Sequence, residues 1–181
     1  MGVANCSRHV VSYRFLTYLC HIMEDRWKTQ LRRQASARHM CEENRLALEA
    51  VSSKEEAVAL YLKTIDWALE EGYPRLDTLR EYFADCEPYG VYIDRHFNST
   101  LFLDRKVYVF HHCSGKIRVG LNRSKSIIPM IYLANGCNLE IKAADNLGLR
   151  TRVPIYNFGE NRVLAEDSEN IVCKIYNLEV K

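Results

Sequence analysis

KVYVF (106–110), MIYLA (130–134), PIYNF (154–158) and KIYNL (174–178) are four short apolar strings of one design. Each places a tyrosine directly after a Val or Ile. The same pairing occurs at Val91-Tyr92, so it holds for every tyrosine beyond residue 90. Tyr92, Tyr108, Tyr132, Tyr156 and Tyr176 stand at intervals of 16, 24, 24 and 20, the range of one structural unit of a repeat protein. A second set of alternating runs lies between them: Lys116–Leu121, Leu139–Ala144 and Arg162–Glu166. Val119, Ile141 and Val163 recur at a constant interval of 22 within that set, and the runs close on Asn122-Arg123-Ser124, Asp145-Asn146 and Asp167-Ser168. Short β-branched and aromatic runs bounded by Asn, Asp, Gly and Ser read as strands and turns. Two strands and two turns per roughly 22–24 residues is therefore the expected unit. Strand alternation is expected to put the tyrosines on one face with Phe110, Ala134, Phe158 and Leu178, and the preceding Val or Ile on the other.

Such a unit cannot bury its apolar face alone, and stacking in parallel ladders gives it a continuous core. On these residues the second half of the chain resembles β-solenoid proteins in general, over roughly 90 residues. It lacks the six-residue steps of left-handed-helix acyltransferases, which argues against that activity. It is also much shorter than the right-handed helices of pectate-lyase type. A small helical head joined to a short solenoid looks like proteins of phage or mobile elements. The expected fold class is α+β, with N-terminal helices packed on and capping a short C-terminal β-solenoid. The alternative is an antiparallel β-sandwich or jelly roll, because strands at 8–12-residue spacing produce those folds too.

The first half carries a different period. Ser53-Lys54-Glu55-Glu56 has the form of a capping box. Val58, Tyr61, Leu62, Ile65 and Leu69 then follow helical spacing until Gly72 and Pro74 stop it. A shorter helix is expected to bury Leu76, Leu79, Tyr82 and Phe83. Further helices are expected over Val11 to Ile22 and over Ala37 to Val51. The basic stretch between these two, with Arg26, Lys28, Arg32, Arg33 and Arg38, reads as a solvated face. The organisation is then 1–39, a basic helical segment; 40–88, an acidic helical region; and 89–181, the β-repeat.

Charge follows the same division. Residues 1–39 carry +5, residues 40–89 carry −7 and residues 90–181 carry +4, a pattern in which the acidic middle lies against a basic partner inside or outside the chain. Seven cysteines stand singly at 6, 20, 41, 86, 113, 137 and 173. That scatter, with no secretory signal to accompany it, favours reduced thiols in the cytoplasm. No apolar run reaches the roughly 18 residues of a membrane span.

Catalytic signatures are missing: there is no GxSxG, P-loop, HExxH or GxGxxG after a strand. Ser114, His112 and Asp104 supply the residue types of a hydrolase triad without the spacing of one. Asp145 and Asp167 occupy equivalent turns and read as strand-stopping side-chain turns. His111-His112-Cys113 suggests metal chemistry, but neighbours on a strand face opposite ways, so only His111 and Cys113 could share a site. No metal and no cofactor is expected. Arg118, Arg123, Lys125, Lys142, Arg150, Arg152 and Arg162 recur through the strands and would suit an anion if aligned. The candidate ligand-binding residues are accordingly Tyr108, Tyr132, Tyr156, Arg118, Arg123 and Arg152.

The function expected from sequence is non-catalytic: a binding or assembly protein acting through protein–protein contacts or self-association. The alternative is a small-ligand binder or enzyme taking a nucleotide or sugar phosphate at the seam between helices and strands. The acidic middle argues against nucleic acid as the partner.

Overall fold

A computed structural model describes residues 26–121, 127–143, 151–167 and 171–180. The helices are α1 (26–37), α2 (Glu42–Ala50), α3 (Lys54–Lys63), α4 (Ile65–Glu70) and α5 (Leu76–Tyr82). A single 3-10 turn, Glu87–Tyr89, leads into the strands. These are β1 (Val91–Ile93), β2 (His96–Leu103), β3 (Val107–His111), β4 (Ser114–Leu121), β5 (Met130–Ala134), β6 (Asn138–Ala143), β7 (Thr151–Phe158), β8 (Arg162–Glu166) and β9 (Ile171–Leu178). Odd strands form a five-stranded sheet in the order β1-β3-β5-β7-β9, and even strands a four-stranded sheet in the order β2-β4-β6-β8. Every pairing among the described strands is parallel.

Three layers follow from where the apolar residues point. Between the sheets lie Phe97, Tyr108, Phe110, Ile117, Val119, Ile131, Leu133, Leu139, Ile141, Val153 and Ile155. Val91, Val109, Tyr132, Ala134 and Phe158 leave the other face of the five-stranded sheet and join Trp27, Leu31, Tyr61, Ile65, Leu79 and Phe83 of the helices. The five-stranded sheet is thus apolar on both faces, as a covered parallel sheet must be. Burying each large apolar side chain in these two layers contributes about 1.5–3 kcal/mol.

The expected fold is corrected on two points. A few helices with two parallel sheets of nine strands make an α/β-like arrangement, neither a β-solenoid nor an antiparallel sandwich or jelly roll. The antiparallel alternative fails because all pairs run the same way. The solenoid fails on its unit. Register partners in the four-stranded sheet run from His96 to Ser114, Asn138 and Arg162, in steps of 18, 24 and 24. In the other sheet the steps are 18 (Val91 to Val109), 23 (Val107 to Met130), 24 (Ile131 to Ile155) and 20 (Thr151 to Ile171). The step therefore varies from 18 to 24 along the described strands. Nor do the described helices form a cap: they lie on the broad face of the five-stranded sheet instead of closing the end of a stack.

Local chemistry explains the helices. Ser53 Oγ accepts the Glu56 N–H at 3.2 Å, while the Glu56 carboxylate takes the N–H and Oγ of Ser52 at 2.7 and 2.8 Å, one residue earlier than a standard capping box. Thr64 divides α3 from α4, and its hydroxyl donates back to the Leu60 carbonyl at 3.0 Å. The basic stretch does more than solvate: α1 buries Trp27, Leu31, Gln34 and Ala35. Gln34 donates to Thr78 Oγ1 at 2.7 Å and accepts from the Arg75 N–H at 2.8 Å, which ties α1 to the start of α5.

Candidate binding surface

Alternation scatters the tyrosines across both faces. Tyr92 pairs in register with Phe110, and Tyr108 with Ile131, so both point between the sheets. Tyr132 pairs with Val109, Tyr156 with Tyr132 and Tyr176 with Tyr156, so these three point to the opposite side. The cause is the register step from β3 to β5, Val107 to Met130, which falls one short of the interval from Tyr108 to Tyr132. A slip of a single residue reverses a strand's faces. The expected single tyrosine face is therefore wrong.

Tyr108 is a buried structural residue. Its hydroxyl accepts the N–H groups of Asp104 and Arg105 at 2.7 and 3.1 Å and donates to the Asp104 carboxylate at 2.9 Å. Burial pushes its pKa up to about 12. Arg118 is exposed on the outer face of the four-stranded sheet, and Arg152 on the outer face of the five-stranded sheet, on opposite sides of the molecule. Arg123 lies outside the described residues, as do Lys125, Asp145 and Arg150. Of the five that are described, Tyr132 and Tyr156 touch, with ring centroids 4.9 Å apart, while Tyr108, Arg118 and Arg152 lie on other faces or away from that contact.

That contact begins a ladder which the helices cover only in part. Tyr132 stacks on Tyr156, and Tyr156 on Tyr176 at 5.4 Å. Tyr132 is 3% exposed beneath the helices, Tyr156 is half-buried, and Tyr176 is 38% exposed. Burial and the neighbouring Asp66 carboxylate raise the Tyr132 phenol well above its usual range. Leu178 and Val180 extend the open part at 39% and 44% exposure, and Lys174 stands over the Tyr176 ring at 4.8 Å. Arg152 and Pro154 flank it on β7. This shelf is continuous with the edge of β9, beyond which no described strand pairs. Single exposed apolar residues are ordinary, but a stacked aromatic patch along a sheet edge marks an interaction surface.

The backbone of β9 shows which amides point off the sheet's edge. The Leu178 carbonyl accepts the Gly159 N–H at 3.0 Å, so residue 178 turns its polar groups toward β7. Backbone groups alternate in a strand. Residues 172, 174 and 176 therefore bond β7, whereas 173, 175 and 177 point off the edge. The Cys173 N–H is taken by the Asp167 carboxylate at 2.8 Å. Ile175 and Asn177 present the remaining outward amides and carbonyls.

A second polar concentration lies where β1 and β3 turn into the other sheet. Asp94, His112 and Asn135 all have positive φ, 53°, 52° and 60°, and occupy successive positions of one stacked corner. Asp, His and Asn tolerate this conformation better than other non-glycine residues. Arg80 clasps the Asp94 carboxylate at 2.6 and 2.7 Å, and His112 Nδ1 meets it at 2.6 Å. The Arg80 hydrogen bonds, with help from His112, hold the Asp94 carboxyl below the usual carboxylate range. Ser114 bonds instead to His96 Nδ1 at 3.0 Å. The trio Ser114, His112 and Asp104 is therefore unassembled: each bonds a different partner. His111 points to the helices and meets Tyr61 Oη at 2.8 Å and the Asn135 side chain at 2.7 Å, while Cys113 lies between the sheets against Cys137. His111 and Cys113, the two neighbours that alternation allows to share a site, therefore stand apart. No group of three or more metal-ligating side chains gathers among the described residues.

The seam between helices and sheet holds a void of about 20 Å³ lined by Leu31, Met40, Leu48, Tyr61, Phe83 and Val91 among others, with no cation in its lining. A shallow groove of about 380 Å³ runs over the four-stranded sheet, past Thr100, Lys116, Arg118, Glu140 and Lys142. Lys116–Glu140 and Lys142–Glu166 pair across its strands at 2.7 and 2.8 Å. No described helix is long and apolar enough to cross a membrane. Compared with protein-family models, curated proteins and solved structures, the chain matches none.

Proposed function

We propose that this chain is a non-catalytic binding or assembly protein that works through protein–protein contacts at the shelf formed by Tyr156, Tyr176, Leu178 and Val180. The observation that carries this reading is the exposed end of the tyrosine ladder, adjoining the outward amides of Ile175 and Asn177. An edge strand of eight residues is a template for a partner strand, and folds that leave such an edge alone blunt it with charge, proline or a bulge. β9 has Lys174 as its only charged residue and contains no proline. A flat aromatic patch beside free amides supplies both the apolar contact and the directional hydrogen bonds of strand addition. The polar corner supports catalysis less well, because Arg80 is engaged by Asp94, and His112 and Ser114 are not in contact. A cytoplasmic setting fits the proposal: the described cysteines are all free, Cys113 and Cys137 included although they adjoin at successive corners between strands.

A photo-activated cross-linking residue placed at Leu178, with Thr100 on the opposite sheet as the control position, tests the proposal in cells. Discrete protein adducts are expected from position 178 and not from position 100. Identical adduct patterns from both positions, or none from 178, would overturn it.

A further inference from the structure

We infer that the occupant of this edge is a second copy of the chain, paired β9 to β9, antiparallel, about a two-fold axis at Tyr176. The inference rests on the protein-contact reading and adds the partner and the register. A two-fold contact requires a self-complementary strand, and β9 meets that demand in one register.

With Tyr176 opposite Tyr176 of the other copy, Ile175 faces Asn177. Both are residues whose backbone groups point off the edge, so each pair exchanges two hydrogen bonds and the contact forms four. A register centred on Ile175 would instead require the Cys173 N–H, which Asp167 already holds at 2.8 Å. Side chains agree with the backbone. Tyr176 would meet its counterpart as a directly opposed pair of the closer, non-hydrogen-bonded kind, extending the ladder Tyr132–Tyr156–Tyr176 without a break into the second copy. Val172 would face Val180, and Lys174 would lay its alkyl stem on Leu178. The exposed apolar residues Tyr176, Leu178 and Val180 each gain a cross-strand neighbour, and no like charges stand opposite one another along the strand. The result is one ten-stranded sheet, parallel within each copy and antiparallel at its centre.

The test uses the full chain. Sedimentation equilibrium should show a reversible dimer. Tyr176→Lys sets two ammonium groups face to face and should weaken dimerisation at least about tenfold, with an unchanged circular dichroism spectrum. Tyr176→Cys tests the register. Opposed Cα atoms of a non-hydrogen-bonded pair lie close enough for a disulfide, so oxidised glutathione should produce a covalent dimer whose peptide map contains a 176–176 link. Lys174→Cys, which faces residue 178, should give no 174–174 link. A wild-type chain that stays monomeric at the highest attainable concentration, or a dimer without the 176–176 link, overturns the inference. Adducts from position 178 to other proteins alone, together with a monomer in solution, would remove the second copy as partner and leave the protein-contact reading standing.

Discussion

His111 makes the stability of this fold sensitive to mild acid. It is 1% exposed, and burial alone lowers its pKa to about 4, against an ordinary value near 6.5. Tyr61 and Asn135 satisfy its two ring nitrogens without supplying a negative charge, so nothing compensates an imidazolium there. The folded state therefore holds His111 neutral at a pH where the unfolded chain protonates it. The stability this contributes is complete above about pH 6.5, falls as pH drops through the window to about 4, and changes no further below it. The gap of about 2.5 pH units corresponds to on the order of 3 kcal/mol, of which about 2 kcal/mol is lost by pH 5. Urea midpoints measured from pH 8 to 5 should record that fall, ahead of the carboxylates, whose ordinary titration lies lower. His111→Gln, which can still bond Tyr61, should lose most of the slope. Parallel slopes for wild type and variant would refute the reasoning. So would an NMR titration of the wild-type chain placing the His111 midpoint near 6.5, a measurement that holds even if the variant fails to fold.

Three further perturbations address other parts of the frame. Asn161→Ala removes a side chain that accepts the Cys137 N–H at 2.7 Å and donates to the carbonyls of Leu133 and Phe158 and to Asn157 Oδ1. With several polar groups left unpaired, chemical denaturation should show a loss of about 2–4 kcal/mol, and a loss below about 1 kcal/mol would mean water replaces the side chain. Gly115→Ala would drive a Cβ into the Phe97 carbonyl oxygen at a φ of +100°, so the chain should fail to reach the native circular dichroism spectrum; a native melting curve would show that β2 can yield. Tyr108→Phe deletes the hydroxyl that binds the Asp104 and Arg105 amides, and should lower the thermal midpoint by the equivalent of about 1–3 kcal/mol while leaving self-association unchanged.

The strands were legible because their composition is local. Runs read at Met130–Ala134 and Arg162–Glu166 coincide with β5 and β8, and the other runs overlap β3, β4, β6, β7 and β9. Faces were not legible beyond β3. The interval from Tyr108 to Tyr132 and the register step from Val107 to Met130 differ by a single residue, which only three-dimensional pairing reveals. Val119, Ile141 and Val163 show a milder form of the same effect. Their mutual interval falls two short of the sheet's own step, so they pair with Ala143, Ala165 and Leu139 instead of with one another. An even discrepancy keeps all three on the inner face, whereas an odd one sends Tyr132 to the helices. The candidate site was less visible still. The repeat alone points to Tyr156, but Tyr176 gains significance only as the last rung, beyond which no described strand pairs. Asp94 and His112 are far apart in sequence and meet only because each occupies the left-handed position of successive corners.

Uneven helical coverage connects the fold to the proposed contact. The described helices bury Val91, Val109, Tyr132 and Ala134 of β1, β3 and β5 and reach Phe158 at the end of β7. β1 has only three residues and leads directly out of the 3-10 turn at Glu87–Tyr89, which leaves little edge for another strand to use. β9 has eight residues, and the outer face around Tyr176 has no described helix over it. A parallel sheet with both faces apolar requires cover on both, and the described helices supply it at one end. The same sequence feature, a β-branched residue followed by tyrosine, therefore performs two tasks according to its rung. Under the helices, Tyr132 closes the core. Two strands further on, the identical side chain is left for whatever completes the sheet, and the outward amides of Ile175 and Asn177 fix the geometry with which that partner must arrive.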